Sequence, residues 1–160
     1  MSDQLRPRLE ARRTHERPHV LIVSDDPDLA GFLGDGLPLG GFWVSIIASG
    51  LQVMEVFRLR QFDILAIDND LQGFDAVELL RRLRGRSDLD SGGESRTSAP
   101  AVLFVSATPE PEGLVGLGVE RVIRPPVELE DVVRQFHEVF ADWRQDNPDI
   151  PLADSANLAF

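Results

Sequence analysis

The chain has 160 residues, 42% of them hydrophobic, and a formal net charge of −11. This length predicts one domain with extensions, and the absence of cysteine excludes disulfides and thiolate chemistry, while three scattered histidines argue against a zinc site. The negative charge disfavours nonspecific binding to nucleic acid, and no apolar stretch is long enough to span a bilayer, so we expect a cytoplasmic protein without nucleic-acid or membrane partners.

Composition divides the chain into a central domain and flanking segments. Residues 1–18 are rich in arginine and poor in large apolar side chains, which predicts a flexible N-terminal arm; contact with a partner is the less favoured alternative. Residues 19–143 form the predicted domain, and residues 85–99 are a loop insertion within it. We expect residues 144–160 to form a C-terminal tail, although Leu158 and Phe160 are apolar enough to dock on the domain.

Within the domain, apolar runs alternate with segments that have helical spacing. Strands are predicted at 19–23, 42–48, 64–67, 101–105 and 121–123, and a helix is predicted after each. Pro27 suits the first turn of the first helix, with Asp26 as its cap. Prolines and glycines between 109 and 118 predict a short or broken fourth helix. The pattern indicates a doubly wound α/β fold, a three-layer αβα sandwich around a five-stranded parallel sheet of order 2-1-3-4-5.

Polar side chains follow three of these strands at their carboxyl ends. Asp25 and Asp26 follow the first strand, Asp68 ends the third, and Ser106 follows the fourth. Because such ends meet at one edge of a parallel sheet, we expect these side chains to be neighbours. Clustered carboxylates repel unless a cation such as Mg²⁺ neutralises them, and one of them could then attack phosphorus. For the stretch around Asp68 taken alone, a solvated turn is the simpler interpretation.

The domain resembles the receiver domain of two-component response regulators in its motifs at 20–29, 63–75, 102–107 and 121–126. The resemblance implies that Asp68 is the phosphoacceptor and that Ser106 donates a hydrogen bond to the phosphoryl group. It also implies a weak Mg²⁺ site at Asp25, Asp26, Asp68 and Asp70, in which Asp70 offers its backbone carbonyl.

Three positions depart from the family pattern. Ser24 stands where the family has its first acid, Pro125 replaces the family lysine, and Val122 replaces the switch aromatic. The chain contains no lysine, so no other residue can substitute like for like. We expect the Pro125–Pro126 bond to be cis and to aim Arg124 away from Asp68.

The resemblance implies an atypical stand-alone receiver that is not an enzyme. It would take a phosphoryl group from a histidine kinase or phosphotransfer protein and act on a downstream protein partner, or through homodimer formation. The alternative is a pseudo-receiver, a protein-interaction module that works without phosphorylation. A flavodoxin-like cofactor binder or small hydrolase is disfavoured, because neither a glycine-rich phosphate loop nor a nucleophile–histidine pair is present.

Overall fold

The structure, a computed structural model, describes residues 16–73, 75–86, 96–107 and 109–153. The predictions for residues 1–15, for residues 87–95 of the loop insertion, and for Leu158 and Phe160 lie outside these ranges. The elements, in chain order, are β1 (His19–Val23), α1 (Pro27–Leu39), β2 (Trp43–Ile47), α2 (Gly50–Leu59), β3 (Ile64–Asp68), α3 (Ala76–Leu83), β4 (Ala101–Phe104), β5 (Val119–Ile123) and α4 (Leu129–Asp146).

All strands pair in parallel, in the order β2-β1-β3-β4-β5, so the predicted sheet topology is confirmed. The central strands β1 and β3 are buried along their whole length, which is why they appear in the sequence as apolar runs without alternation. Asp68 pairs with Phe104 of β4, so the carboxyl ends of these strands meet at one edge. We call this edge the carboxyl edge.

Helices cover both faces of the sheet, which makes the predicted three-layer sandwich. On one face, α2 and α3 pack against alternate residues of β1, β3 and β4. On the other face, α1 and α4 pack against the intervening residues. The α1–α4 contact depends on Gly36, because a Cβ at that position would lie 2.3 Å from Cδ1 of Leu129. Gly36, one of the glycines that weaken α1, therefore allows α4 to approach it closely.

The expected fourth helix is absent from the part of the connection between β4 and β5 that the structure describes, residues 105–107 and 109–118. The reason is local, since Pro109 and Pro111 resist helix formation and Gly116 and Gly118 have φ angles of +80° and +72°. The prediction of a five-fold strand–helix alternation was therefore wrong at this point. A loop takes the place of the helix.

Arg84, the residue after α3, holds this loop in place. Its guanidinium donates to the carbonyl oxygens of Leu117, Thr97 and Ala99 at distances of 2.8, 2.7 and 2.7 Å. Burial lowers the pKa of this guanidinium. One side chain thus joins α3 to the segments that lead into β4 and β5.

At the opposite edge of the sheet, which we call the amino edge, Asp63 precedes β3 and is buried. Its carboxylate accepts hydrogen bonds from the backbone N–H of His19 at 2.8 Å and of Ala153 at 3.0 Å. Helix α4 continues to Asp146, beyond the predicted domain boundary at 143, and Leu152 packs against the core on the α1–α4 face. The described part of the C-terminal segment therefore lies against the domain.

Candidate functional site at the carboxyl edge of the sheet

Asp68 ends β3 and is the most buried acidic side chain at the carboxyl edge, with 3% of its surface exposed. Each of its carboxylate oxygens accepts a hydrogen bond. The backbone N–H of Asp70 donates to Oδ1 at 2.9 Å, and the hydroxyl of Ser24 donates to Oδ2 at 2.8 Å. The carboxylate is therefore held in one orientation at the end of the central strand.

Burial raises the pKa of Asp68, because removal from water disfavours the charged carboxylate. The hydrogen bonds from Ser24 and Asp70 act in the opposite direction, and the negative charges of Asp70 and Asp25 raise the pKa further. Asp68 thus experiences two like charges. A group with this environment, at the edge where ligands bind in α/β sheets, is a candidate for chemistry.

Ser24 departs from the family pattern in sequence, and in the structure it is a member of the site. It is 2% exposed, and besides donating to Asp68 its hydroxyl accepts a hydrogen bond from the N–H of Asp26 at 3.1 Å. A signal was present in the sequence, since Ser24 is a hydroxyl residue directly after β1, and β1 pairs with β3, the strand that ends at Asp68. Ser24 supplies a neutral donor where the family supplies a carboxylate.

Asp70 connects Asp68 to the loop after β4 through its side chain. Its Oδ2 accepts hydrogen bonds from the backbone N–H groups of Ser106 at 2.8 Å and of Ala107 at 3.2 Å. Ser106 is exposed and follows the last buried residue of this segment, Val105. The resemblance implies a role in metal binding for the backbone carbonyl of Asp70, and its carboxylate has this additional role in holding the loop.

The two acids after β1 have different surroundings. Asp26 caps α1, with its Oδ1 accepting a hydrogen bond from the N–H of Asp28 at 2.9 Å, as predicted. Asp25 is exposed, and its Oδ2 accepts from the N–H of Gln72 at 3.3 Å. Of the pair, Asp25 is the one whose charge acts on Asp68.

The acidic residues offer the right kind of donor for Mg²⁺ but not a complete set. Within the described ranges, no three acidic, histidine or cysteine side chains are grouped closely enough to hold a metal ion. The carboxylates of Asp26 and Asp70 already accept backbone hydrogen bonds, and Ser24 contributes no charge. The predicted metal-ligand set stays a prediction.

The Pro125–Pro126 peptide bond is cis, as predicted, while the predicted direction of Arg124, away from Asp68, stays a prediction. The turn borders a cavity of about 350 Å³ between the start of α1 and the connection from β5 to α4, lined by Asp26, Asp28, Leu29, Phe32, Ser106, Pro125, Pro126 and Val127. Pro125, at the position of the family lysine, and its neighbours Pro126 and Val127 therefore make this side of the cavity apolar.

The chain is similar to response regulators. It is 30% identical over 124 residues to the transcriptional regulatory protein BaeR of Escherichia coli O6:H1, which covers 76% of this chain and 48% of BaeR. It is 26% identical over 130 residues to the TorCAD operon transcriptional regulatory protein TorR of Escherichia coli K12, covering 80% of this chain and 51% of TorR. The chain thus spans about half the length of these relatives. No family model matches the chain.

The fold of the chain is also similar to that of solved receiver domains. A response regulator receiver domain protein (CheY-like) from Methanospirillum hungatei JF-1 superposes with a TM-score of 0.69 over 82% of this chain and 99% of the other, at 18% identity. None of the helices that the structure describes is long and apolar enough to cross a membrane. The parallel sheet, the acidic carboxyl edge and these relatives together show that the chain contains a domain similar to the receiver domains of two-component signalling.

Proposed function

We propose that this receiver accepts a phosphoryl group on Asp68. The observation that carries the proposal is the environment of Asp68, a buried carboxylate at the carboxyl edge with one hydrogen bond to each oxygen. Receiver domains are signalling modules rather than enzymes, so the reaction would occur once for each activation of the protein.

In this reaction an Asp68 oxygen forms a bond to phosphorus while the bond from phosphorus to the donor breaks. The product is an acyl phosphate, and the donor leaves with its bonding electron pair. Burial favours attack, because a poorly hydrated carboxylate loses little solvent when it approaches phosphorus. Ser106, exposed beside the loop that Asp70 holds, would donate its hydroxyl hydrogen to a phosphoryl oxygen. The donor would be a histidine kinase or a phosphotransfer protein.

Mg²⁺ would bind weakly at the same edge, held by the carboxylates of Asp25 and Asp68 and the backbone carbonyl of Asp70. When bound, it would neutralise charge on the phosphoryl oxygens. Asp26 belongs to the predicted set, but while its carboxylate caps α1 it has less capacity to bind a metal.

A second function is favoured by the rim of the site. Pro125 provides no cation, Val122 provides no aromatic ring, and the loop after β4 lacks a helix in its described residues. These features would suit a pseudo-receiver that binds a downstream protein without phosphorylation. The relatives are named as transcriptional regulators. The absence of a nucleic-acid partner for this chain therefore stays a prediction. The homodimer also stays a prediction.

The test is incubation with acetyl phosphate and Mg²⁺, followed by intact-mass measurement. We expect slow addition of one phosphoryl group to the wild type and none to Asp68→Asn. Asp63→Asn is the matched control, since it alters the other buried aspartate beside β3, at the opposite edge, and should leave labelling intact. Absence of labelling with acetyl phosphate and with histidine kinases would contradict the phosphoacceptor role and leave the pseudo-receiver.

Pro125→Lys measures how much the absence of a cation at this position slows phosphorylation. Lysine there would add a charge-assisted contact to the phosphoryl group, and labelling should become about tenfold faster if the turn can relax. Pro125→Ala controls for the loss of the proline ring alone.

A further inference from the structure

Two consecutive backbone N–H groups at the carboxyl edge point at a single oxygen. Those of Ser106 and Ala107 donate to Oδ2 of Asp70 at 2.8 and 3.2 Å. Both donors lie in the exposed loop directly after β4. Adjacent N–H groups aimed at one point form a small concavity that binds anions, and the anion here is a side chain of the protein itself.

Asp70 also contacts the phosphoacceptor position, through its backbone. Its N–H donates to Oδ1 of Asp68 at 2.9 Å. The residue therefore spans the distance between Asp68 and the loop, with its main chain on one and its carboxylate on the other. A group attached to Asp68 would lie beside the N–H pair that Asp70 occupies.

A phosphoryl group would compete for these donors. It carries a charge of about −1.5 to −2 and has three acceptor oxygens, whereas the Asp70 carboxylate has a charge of −1. The two anions would repel each other across the short distance that joins Asp68 to Asp70. The more highly charged one would gain more from the N–H pair.

We propose that Asp70 is a built-in occupant of an oxyanion site formed by the N–H groups of Ser106 and Ala107, and that a phosphoryl group on Asp68 displaces its carboxylate. The displacement part rests on the proposed function; the occupied oxyanion site does not. Release of Asp70 would free the loop after β4 to take a second position, so this contact would report the state of Asp68 where Val122 lacks an aromatic ring to do so.

The first experiment titrates inorganic phosphate into ¹⁵N-labelled protein without divalent metal and follows the amide signals of Ser106 and Ala107. In the wild type these signals should hardly move. In Asp70→Ala they should shift saturably, with an apparent dissociation constant lower by about tenfold or more, because the N–H pair is then vacant. Asp70→Asn keeps a neutral acceptor of the same size and should give an intermediate value.

Asp25→Ala is the matched control. It removes another carboxylate that acts on Asp68 without touching the N–H pair, so these two amides should stay as insensitive as in the wild type. Equal responses in Asp25→Ala and Asp70→Ala would show a general charge effect and overturn the proposal. So would no response in Asp70→Ala, or an equal response in the wild type. If Asp70→Ala gives a poorly dispersed spectrum, the comparison of wild type with Asp70→Asn decides.

The second experiment separates this proposal from the phosphoacceptor role. With acetyl phosphate, Asp70→Ala should be labelled several-fold faster than the wild type, and labelling of the wild type should shift the Ser106 and Ala107 amides. Labelling without movement of these amides would overturn displacement and leave the phosphoacceptor role standing. Phosphate binding to Asp70→Ala without labelling of either protein would remove the phosphoacceptor role and leave the oxyanion site.

Discussion

Two buried aspartates lie at the two ends of β3. Their hydrogen-bond partners indicate a structural role for Asp63 and a chemical role for Asp68. Asp63 at the amino edge is 5% exposed and Asp68 at the carboxyl edge is 3% exposed, so burial alone does not distinguish them. The Asp63 carboxylate accepts two backbone N–H groups from distant parts of the chain, His19 and Ala153. Asp68 accepts one backbone N–H and one hydroxyl, and it lies beside two further acids.

The comparison teaches that a buried carboxylate has to be judged by what surrounds it. Because its backbone donors come from separate segments, Asp63 links the start of β1 to the C-terminal segment through hydrogen bonds. Burial, reinforced by the like charges of Asp70 and Asp25, disfavours the charged state of Asp68, which is common in reactive groups. The following predictions test this difference, from the largest effect to the smallest.

Asp63→Ala should lower the free energy of unfolding by about 3 kcal/mol, because two buried N–H groups lose a charged acceptor. Urea unfolding measures the loss, and faster amide exchange at Ala153 should accompany it. Asp63→Asn keeps one acceptor oxygen and should lose about half as much. A change below about 1 kcal/mol in Asp63→Ala would contradict the structural role of this carboxylate.

Ser24→Asp should strengthen Mg²⁺ binding by about tenfold, because affinity rises with the number of carboxylate charges. Calorimetry, or amide shifts near Asp68, gives the affinity of each protein. Ser24→Asn has the same size as aspartate without the charge and should bind no better than the wild type. Equal affinities for Ser24→Asp and Ser24→Asn would show that position 24 does not face the metal.

Ser24→Ala should destabilise the protein by about 1 kcal/mol at neutral pH, because Asp68 loses a hydrogen bond that favours its charged form. The pKa of Asp68, followed by its carboxyl carbon signal, should rise further. Ser24→Thr retains the hydroxyl and should restore both values. An unchanged pKa in Ser24→Ala would mean that this hydrogen bond contributes little.

The pH dependence of stability should differ between the wild type and Asp68→Asn. Burial raises the pKa of Asp68 in the folded state, so the folded protein binds this proton more tightly than the unfolded chain does. The wild type should therefore gain stability relative to Asp68→Asn as pH falls through the folded pKa, and lose that gain as pH rises. Urea unfolding across the acid range measures the difference, and an opposite slope would refute the raised pKa.

The sequence predicted the sheet and the position of Asp68 because both follow from patterns along the chain. Apolar runs mark β1 and β3, and the residue at the end of such a run must emerge at the carboxyl edge. The sequence did not predict the hydrogen bonds of Asp63, because its second donor, Ala153, is 90 residues away along the chain. Nor did it predict where the Asp70 carboxylate points, since that depends on the path of a separate loop.

The missing helix between β4 and β5 shows the limit of reasoning from a family pattern. Prolines and glycines in that stretch indicated a weak helix, whereas the alternation of strands and helices elsewhere favoured keeping one. The local conformational preferences were decisive, with Gly116 and Gly118 at positive φ. What holds the loop instead is Arg84, and no periodicity in the sequence indicates that a single side chain reaches three carbonyl groups.

Arg84 therefore has a consequence for how the domain opens. Its carbonyl partners lie before β4 and before β5, and the N–H of Thr97 also donates to the carbonyl oxygen of Leu83 at the end of α3. None of these segments can separate from the others without breaking hydrogen bonds of this partly buried guanidinium. Local opening of the loop after β4 is thus linked to fraying of α3, and we expect their amides to exchange with solvent as one cooperative unit.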